Sequence, residues 1–252
     1  MTKEKTVSAF GFKPDEIVII STERKQLPVP NAKYFKQEFA EDFVDFGRLI
    51  KKYTPSSKDI SDPETEIDNS KKVIVIDSFT RVLSMMSTWL DKIKKIKGYT
   101  FWAKYAEHAS DLLMKSMMTN KWLIWMAIDD ITVDSDGDKM KSVKIKGNEM
   151  KGLVESFFTV VLWTHVEKKE PNASKRYKFI TNSDGSNNAK TPIGMFKNQY
   201  IDNDILKVME SISKYYKFDP NDFETKRPNI LIVGRSGSGK STSLRNLITI
   251  TD

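Results

Sequence analysis

Ile230-Leu-Ile-Val233-Gly234-Arg-Ser-Gly-Ser-Gly239-Lys240-Ser241-Thr242 is the stretch that decides how this chain is read. Four consecutive aliphatic residues predict a buried strand, and from Gly234 onward the spacing matches G-x-x-x-x-G-K-[ST]. Glycines at these positions let the backbone wrap an anion so that successive amide N–H groups point inward. A helix expected over Lys240–Ile248 would add its dipole at the same point. In such a loop the lysine reaches the β- and γ-phosphates of a nucleotide and the following hydroxyl ligates Mg²⁺. The expected phosphate-binding set is Gly234, Arg235, Ser236, Gly237, Ser238, Gly239, Lys240, Ser241 and Thr242, with ATP and Mg²⁺ as the ligands.

A phosphate loop that binds Mg²⁺ takes a partner carboxylate at the tip of another strand. Lys72-Val-Ile-Val-Ile-Asp77-Ser78 supplies one, because Asp77 ends a hydrophobic run where it can hold Mg²⁺ together with Ser241. Taken alone, an Asp after a strand is a cap or turn residue; beside a phosphate loop the metal role is the better reading. The order is unusual. Asp77 precedes the loop by more than 150 residues, and only twelve residues follow Lys240. Either the chain stops just inside a further domain, or it is circularly permuted, its last strand and helix completing a sheet begun at residue 17. Permutation is cheap where termini meet at the surface. It predicts Ile230–Val233 in the same sheet, adjacent to Val73–Ile76, with Asp77 and Ser241 converging on one metal ion.

Outward from these two segments, short β-branched runs alternate with amphipathic stretches, the pattern of a mostly parallel sheet flanked by helices. Strands are expected at Ile17–Ile20, Val73–Ile76, Trp122–Ala127, Phe158–Trp163, Tyr177–Thr181 and Ile230–Val233. Helices are expected near Tyr34–Tyr53, Val82–Lys97, Ala103–Met118, Asn203–Tyr216 and Lys240–Ile248. The chain has 252 residues, 39 % of them hydrophobic, enough for one α/β domain over 1–252 in which 229–252 supply the phosphate-loop strand and helix. Segments 54–70 and 218–228 read as loop or linker. Cysteine is absent, which excludes disulfides, Cys-based zinc sites and thiol nucleophiles; two distant histidines, His108 and His165, argue against a His-rich metal site. A net charge of +7 permits a polyanionic partner. Neither an apolar signal core nor a run long enough to span a bilayer is present, so a cytoplasmic protein is expected by default.

Read from Arg227 through Asp252 and on into the amino-terminal residues, the chain resembles the RecA-core P-loop ATPases. The nearest likeness is to phage-encoded AAA-domain proteins of recombination and single-strand annealing. The resemblance is carried by Asn229–Leu247, by Ile17-Val-Ile-Ile-Ser-Thr-Glu23-Arg-Lys-Gln-Leu-Pro28, by Val73–Ser78, by Leu153–Thr164 and by Asn188-Ala-Lys190-Thr-Pro192. It implies a circularly permuted RecA-like P-loop NTPase, single-stranded DNA as partner, a homo-oligomer and the host cytoplasm if phage-encoded. It also implies a glutamate after the second core strand that polarises the attacking water, at Glu23. The plainer alternative for Glu23 is a surface residue pairing with Arg24 or Lys25. A late basic residue reaching a neighbour's nucleotide is implied at Lys190, against a solvated loop lysine, with Lys175 and Arg176 as alternatives. A nucleotide-gated switch with little hydrolysis and a helicase or packaging motor are the other functions the same parts allow. The chain departs from the pattern after Trp122–Ala127, where Asp129-Asp130 stand in place of an uncharged γ-phosphate sensor.

Three further features carry less. Asp134-Ser-Asp-Gly-Asp138 misses a calcium loop, because Lys139 and Ile145 stand where Gly and Glu are required, and reads as the turn of a hairpin between Ile131–Val133 and Ser142–Ile145. The stripe Leu83, Met86, Leu90, Ile93, Met114, Met117 and Met118 reads as core. Lys92, Lys94, Lys95 and Lys97, followed by Tyr99, Phe101 and Trp102, form either a platform for single-stranded nucleic acid or a lysine-clad helix face.

Overall fold

Strands that are apolar at every position must be covered on both faces, and this requirement organises the molecule. The computed structural model describes residues 11–117, 119–133, 137, 139–147, 150–168, 171, 176–219 and 225–248. Its strands are β1 (Ile17–Ser21), β2 (Lys36–Phe39), β3 (Val73–Asp77), β4 (Trp122–Ala127), β5 (Asp129–Val133), β6 (Lys139–Val143), β7 (Val160–Val166), β8 (Tyr177–Ile180), β9 (Tyr200–Asp202) and β10 (Ile230–Val233). Its α-helices are α1 (Phe43–Tyr53), α2 (Ser57–Ile60), α3 (Phe79–Thr88), α4 (Gly98–Ser116) and α5 (Ile205–Tyr216). Eight strands form one sheet in the order β2-β1-β3-β4-β10-β7-β8-β9, and β5 and β6 form a separate hairpin. From β2 to β7 all neighbours are parallel; β8 and β9 add an antiparallel margin. This is the expected α/β architecture of a P-loop NTPase, a mostly parallel sheet with helices on both sides.

Side chains alternate between the faces. Val18, Ile20, Ile74, Ile76, Leu123, Trp125, Leu231 and Val233 pack with α1, α3 and α4, while Ile17, Ile19, Val73, Val75, Ile124, Ile230 and Ile232 pack with α5 and Leu244 and Leu247. Helix starts follow capping chemistry: the side chains of Asp42, Ser78 and Asp204 accept backbone N–H groups at the heads of α1, α3 and α5.

Several expectations change. β10 does not lie beside Val73–Ile76. It pairs with β4 on one edge and β7 on the other, with Ile230 opposite Ile124 and Val160. The intervening place belongs to β4, Trp122–Ala127, whose six residues are all buried and so require a partner strand on each side. The helix expected over Tyr34–Tyr53 starts only at Phe43, because Lys36–Phe39 pair with the open edge of β1 and tertiary pairing overrides helical periodicity. The strand expected from Phe158 begins at Val160, and the pairing of Tyr200–Asp202 with β8 has no expected counterpart. The helix expected over Lys240–Ile248 is a six-residue 3₁₀ helix, Ser241–Asn246, so its dipole adds little and the loop's own amides carry any anion binding. In the Met stripe, Leu83, Met86 and Leu90 are buried, whereas Ile93 and Met114 are exposed and Met118 lies outside the described residues. β5 and β6 form the expected hairpin, but its second arm is Lys139–Val143 and not Ser142–Ile145, with Ile131 opposite Lys141; residues 134–136 and 138 of its turn lie outside the described residues.

The carboxyl-terminal segment is bound in from several directions. Asn246 donates to Asp204 Oδ2 at 2.6 Å, Arg245 to the Asn203 carbonyl at 2.7 Å, and Asn31 to the Arg245 carbonyl at 3.2 Å. Phe12 pairs with Ile248, which sets residue 12 beside residue 248.

Lys121, one residue before β4, gives the fold a testable electrostatic feature. It is buried, with Nζ donating to the Tyr53 carbonyl at 2.7 Å and the Asp68 carbonyl at 3.3 Å, and burial pushes its ammonium down to about 8. Between this value and the ordinary lysine range the unfolded chain binds more protons than the folded one, so stability rises with pH. Urea unfolding of the wild type and Lys121→Met from pH 7 to 10.5 should show the wild type gaining on the variant as pH climbs above 8. A constant difference across that window would mean that Lys121 is not desolvated.

Candidate nucleotide site

In an open parallel sheet, loops at the carboxyl ends of the strands face one another. Here the loops after β1, β3 and β10 meet around a cavity of about 400 Å³, walled by Glu23, Asp77, Ser236, Lys240, Ser241 and Thr242 among others. Residues drawn from distant parts of the sequence thus share one space.

The loop after β10 owes its shape to glycine. Gly237 and Gly239 have φ of +75° and +92°, in the left-handed region that side chains disfavour. Gly234 has no room for a Cβ, which would fall 1.7 Å from Thr164 Oγ1 and 2.7 Å from Ser238 Oγ. Thr164, on β7, stands 2.5 Å from Ser238 Oγ, one hydroxyl donating to the other, and Ser238 Oγ lies 2.7 Å from the Arg235 carbonyl. Lys240 Nζ donates to the carbonyls of Gly234 (2.7 Å) and Arg235 (2.9 Å), closing the loop on itself. Of the nine expected residues, Ser236, Gly237, Gly239, Lys240, Ser241 and Thr242 line the cavity. Gly234, Arg235 and Ser238 shape the loop from behind.

Ser241 Oγ donates to Asp77 Oδ2 at 3.2 Å, across 164 residues of sequence. Burial raises the Asp77 carboxyl above the ordinary aspartate range, opposed by the Ser241 hydroxyl and the Lys240 charge. Burial also lowers the Lys240 ammonium, opposed by Asp77, Asp129 and Glu23. A buried carboxylate beside a hydroxyl, with an open cavity in front, offers oxygen donors to an entering cation. Among the described residues no group of three or more His, Cys, Asp or Glu could cage a metal. One carboxylate and one hydroxyl suit Mg²⁺, which keeps waters and takes substrate phosphate oxygens for the rest of its shell. The residues present therefore fit Mg²⁺ and a triphosphate.

Glu23 lies on the same cavity wall, half exposed, and its carboxylate pairs with Lys25. The pair with Lys25 is the one expected of a surface glutamate, although the residue also lines the cavity. Asp77 is held by Thr22, whose N–H donates to the Asp77 carbonyl at 2.8 Å and whose hydroxyl accepts from Ser78 N–H at 3.1 Å. Lys190 does not line the cavity. Its backbone exchanges two hydrogen bonds with Val161, at 3.0 and 2.8 Å, and burial lowers its ammonium against the charge of Glu155. Arg176 also lies off the cavity wall, and Lys175 is outside the described residues. Asp129, just after β4, lies 3.8 Å from Arg235 Nε, so a loop cation offsets its charge.

A family model described as the FtsK/SpoIIIE family matches residues 188–250, about a quarter of the chain, including the whole phosphate loop. Over this stretch the chain resembles a P-loop ATPase. That family uses ATP and acts on DNA as a translocase. Comparison with curated proteins and with solved structures gives no match. None of the described helices is long and apolar enough to cross a membrane.

Sequence reasoning missed Thr164 and Tyr177. Thr164 ends an apolar run and reads as an ordinary strand residue. Tyr177 packs on Gly239, whose added Cβ would meet its ring at 2.6 Å, a contact no local pattern announces. Gly234→Ala tests the loop's geometry: a methyl at 1.7 Å from a hydroxyl must push β7 and the loop apart, with a stability loss of about 1–3 kcal/mol. ATP binding by calorimetry should vanish in Gly234→Ala and partly return in Gly234→Ala/Thr164→Ala. Wild-type affinity in the single variant would contradict the packing described here.

Proposed function

We infer that this protein is a Mg²⁺-dependent ATPase with a RecA-like core in circularly permuted order, acting on DNA. The observation that carries the reading is the Ser241–Asp77 hydrogen bond, which joins a phosphate-loop hydroxyl to a strand-end carboxylate in a cavity open to a nucleotide. Bound Mg²⁺ supplies charge neutralisation between the phosphates and orients them for displacement. Ser241 and Asp77 would hold the ion, and Lys240, released from its own loop carbonyls, would turn its ammonium to the phosphates. Glu23 would accept a hydrogen bond from the attacking water, positioning it rather than acting as a strong base. Its pairing with Lys25 is exposed and weak enough to yield. Lys190, away from this cavity, would serve the nucleotide of a neighbouring copy, so activity requires a homo-oligomer. The permuted order is supported by β10 lying inside the sheet and by Phe12 pairing with Ile248.

Recombination or single-strand annealing in a phage rests on the RecA-like arrangement of segments. A translocating motor is the second reading, favoured by the match over residues 188–250. DNA-stimulated phosphate release without strand displacement fits the first, and unidirectional displacement fits the second.

Steady-state phosphate release tests the assignment. Lys240→Ala should abolish ATP binding or turnover with the fold intact. Glu23→Gln should bind ATP normally and turn over on the order of 10²-fold more slowly. Mixing Glu23→Gln with Lys190→Ala subunits should restore part of the activity, because some interfaces then pair intact Glu23 with intact Lys190. Unchanged turnover in Lys240→Ala would sink the ATPase reading, and absence of rescue from co-assembled variants would remove Lys190 from the site.

A further inference from the structure

A second groove, of about 430 Å³, lies away from the nucleotide site, between the end of α3, the start of α4 and the strand exit at Lys146. Its volume falls within the range of about 300–1,000 Å³ typical of small-ligand sites. Its lining combines cations with flat aromatic surface: Lys92, Lys97 and Lys146 stand around Phe101 and Trp102. The backbone here is irregular in a way that exposes them. After Thr88 the helix widens into a π-turn, Trp89–Ile93, and Lys95 takes φ of +54°, left-handed for a residue with a side chain. Such features cost energy and persist where a site gains from them. The turn swings Lys92, Lys94, Lys95 and Lys97 to the surface, all exposed, instead of leaving them along one helix face.

Trp102 is held with part of its ring open. It meets Phe101 edge-to-face at 4.9 Å, and its six-membered ring lies so close to Gly147, with φ of +77°, that a Cβ there would fall 2.7 Å away. It nevertheless keeps 39 % of its surface exposed, and Tyr99, one turn earlier, keeps 83 %. Trp122, Trp125 and Trp163 are buried by contrast. Lys146 Nζ lies 3.4 Å from Ser87 Oγ, which closes the groove on its third side. Asp91 also lines the groove, ion-paired with Lys97, and three lysines against this one carboxylate leave the lining net positive. The face is thus cationic, with aromatic rings presented between the charges.

We propose that this groove binds single-stranded DNA, Trp102 stacking on a base while Lys92, Lys97 and Lys146 contact the flanking phosphates. Duplex DNA offers no free base face to Trp102, so the chemistry selects unpaired strands. The inference deepens the DNA-directed ATPase reading. α3 begins at Phe79, capped by Ser78 next to Asp77, and its ten residues carry the chain about 15 Å to Ser87 and Thr88 on the groove wall. DNA in the groove and nucleotide in the cavity therefore act on opposite ends of one helix.

Titration of the full chain with short oligo(dT), followed by anisotropy and by intrinsic tryptophan fluorescence, tests the proposal. Oligo(dT) should quench the emission. Trp102→Ala should weaken binding about tenfold, the loss of one stack, while Trp102→Phe keeps most of the affinity but loses the quench. Lys92→Glu/Lys97→Glu, at exposed positions, should lower affinity and make the log–log salt dependence shallower by about 0.7 per lost phosphate contact. ATP binding should stay unchanged in all three variants. Unaltered oligo(dT) affinity in both the Trp102→Ala and the double-lysine variants would overturn the groove assignment. So would duplex DNA or RNA binding as tightly as oligo(dT), or an absence of DNA binding in protein that still binds ATP. That last result leaves the nucleotide site standing, whereas loss of ATP binding with oligo(dT) binding intact removes the ATPase reading and spares the groove.

Discussion

The sheet and its site depend on one insertion: β10, late in the sequence, fills the gap between β4 and β7. Its four residues are fully buried and pair on both edges. At about 1.5–3 kcal/mol for each fully buried aliphatic side chain, this strand contributes on the order of a domain's entire net stability. Without it β4 and β7 would each present an unpaired edge and apolar faces to water. Folding and site assembly are thereby one event, since the strand that completes the sheet also delivers the phosphate loop to the carboxyl edge where Glu23 and Asp77 already stand.

The electrostatics of that edge are poised against water. Asp77 is shifted toward its protonated form and Lys240 toward its neutral form, both by burial. Each is partly compensated by the other, by Ser241 and by Asp129, which in turn faces Arg235. Groups so desolvated interact strongly with any charge that enters, and an ion carrying phosphates would satisfy the carboxylate and the ammonium together. Thr164 and Tyr177 hold the loop from the β7–β8 side, leaving the opposite wall to Glu23 and the residues after β1.

How much of this was legible in the sequence depends on whether the signal was local. The runs at Ile230–Val233, Trp122–Ala127 and Val73–Ile76 are buried on both faces, so composition alone marked them as strands. The glycine spacing likewise marked the loop, because Gly239 takes a φ of +92° that glycine meets at least cost and Gly234 leaves no room for a Cβ. Strand neighbours were not local information. Convergence of Asp77 and Ser241 was expected from adjacent strands, yet the two loops reach each other across the end of β4. Lys36–Phe39 reads as helix because its pairing partner lies at residues 18–21 and not within the segment. The basic and aromatic run at 92–102 was visible as composition, but only the π-turn and the approach of Gly147 to Trp102 make a groove of it. Exposure of Ile93 beside buried Leu90 follows from the same π-turn, which breaks the helical period.

The central claim is that segments 164 residues apart form one metal–nucleotide site. Calorimetric titration of ATP with and without Mg²⁺ into the wild type, Ser241→Ala, Asp77→Asn and the double variant addresses it most directly. If both side chains serve the same ion, Mg²⁺ tightens ATP binding in the wild type, each single substitution removes that gain, and the double variant loses nothing further. A Mg²⁺ gain that survives Asp77→Asn, or two losses that simply add, would show that the strand-end carboxylate and the phosphate loop do not share a site.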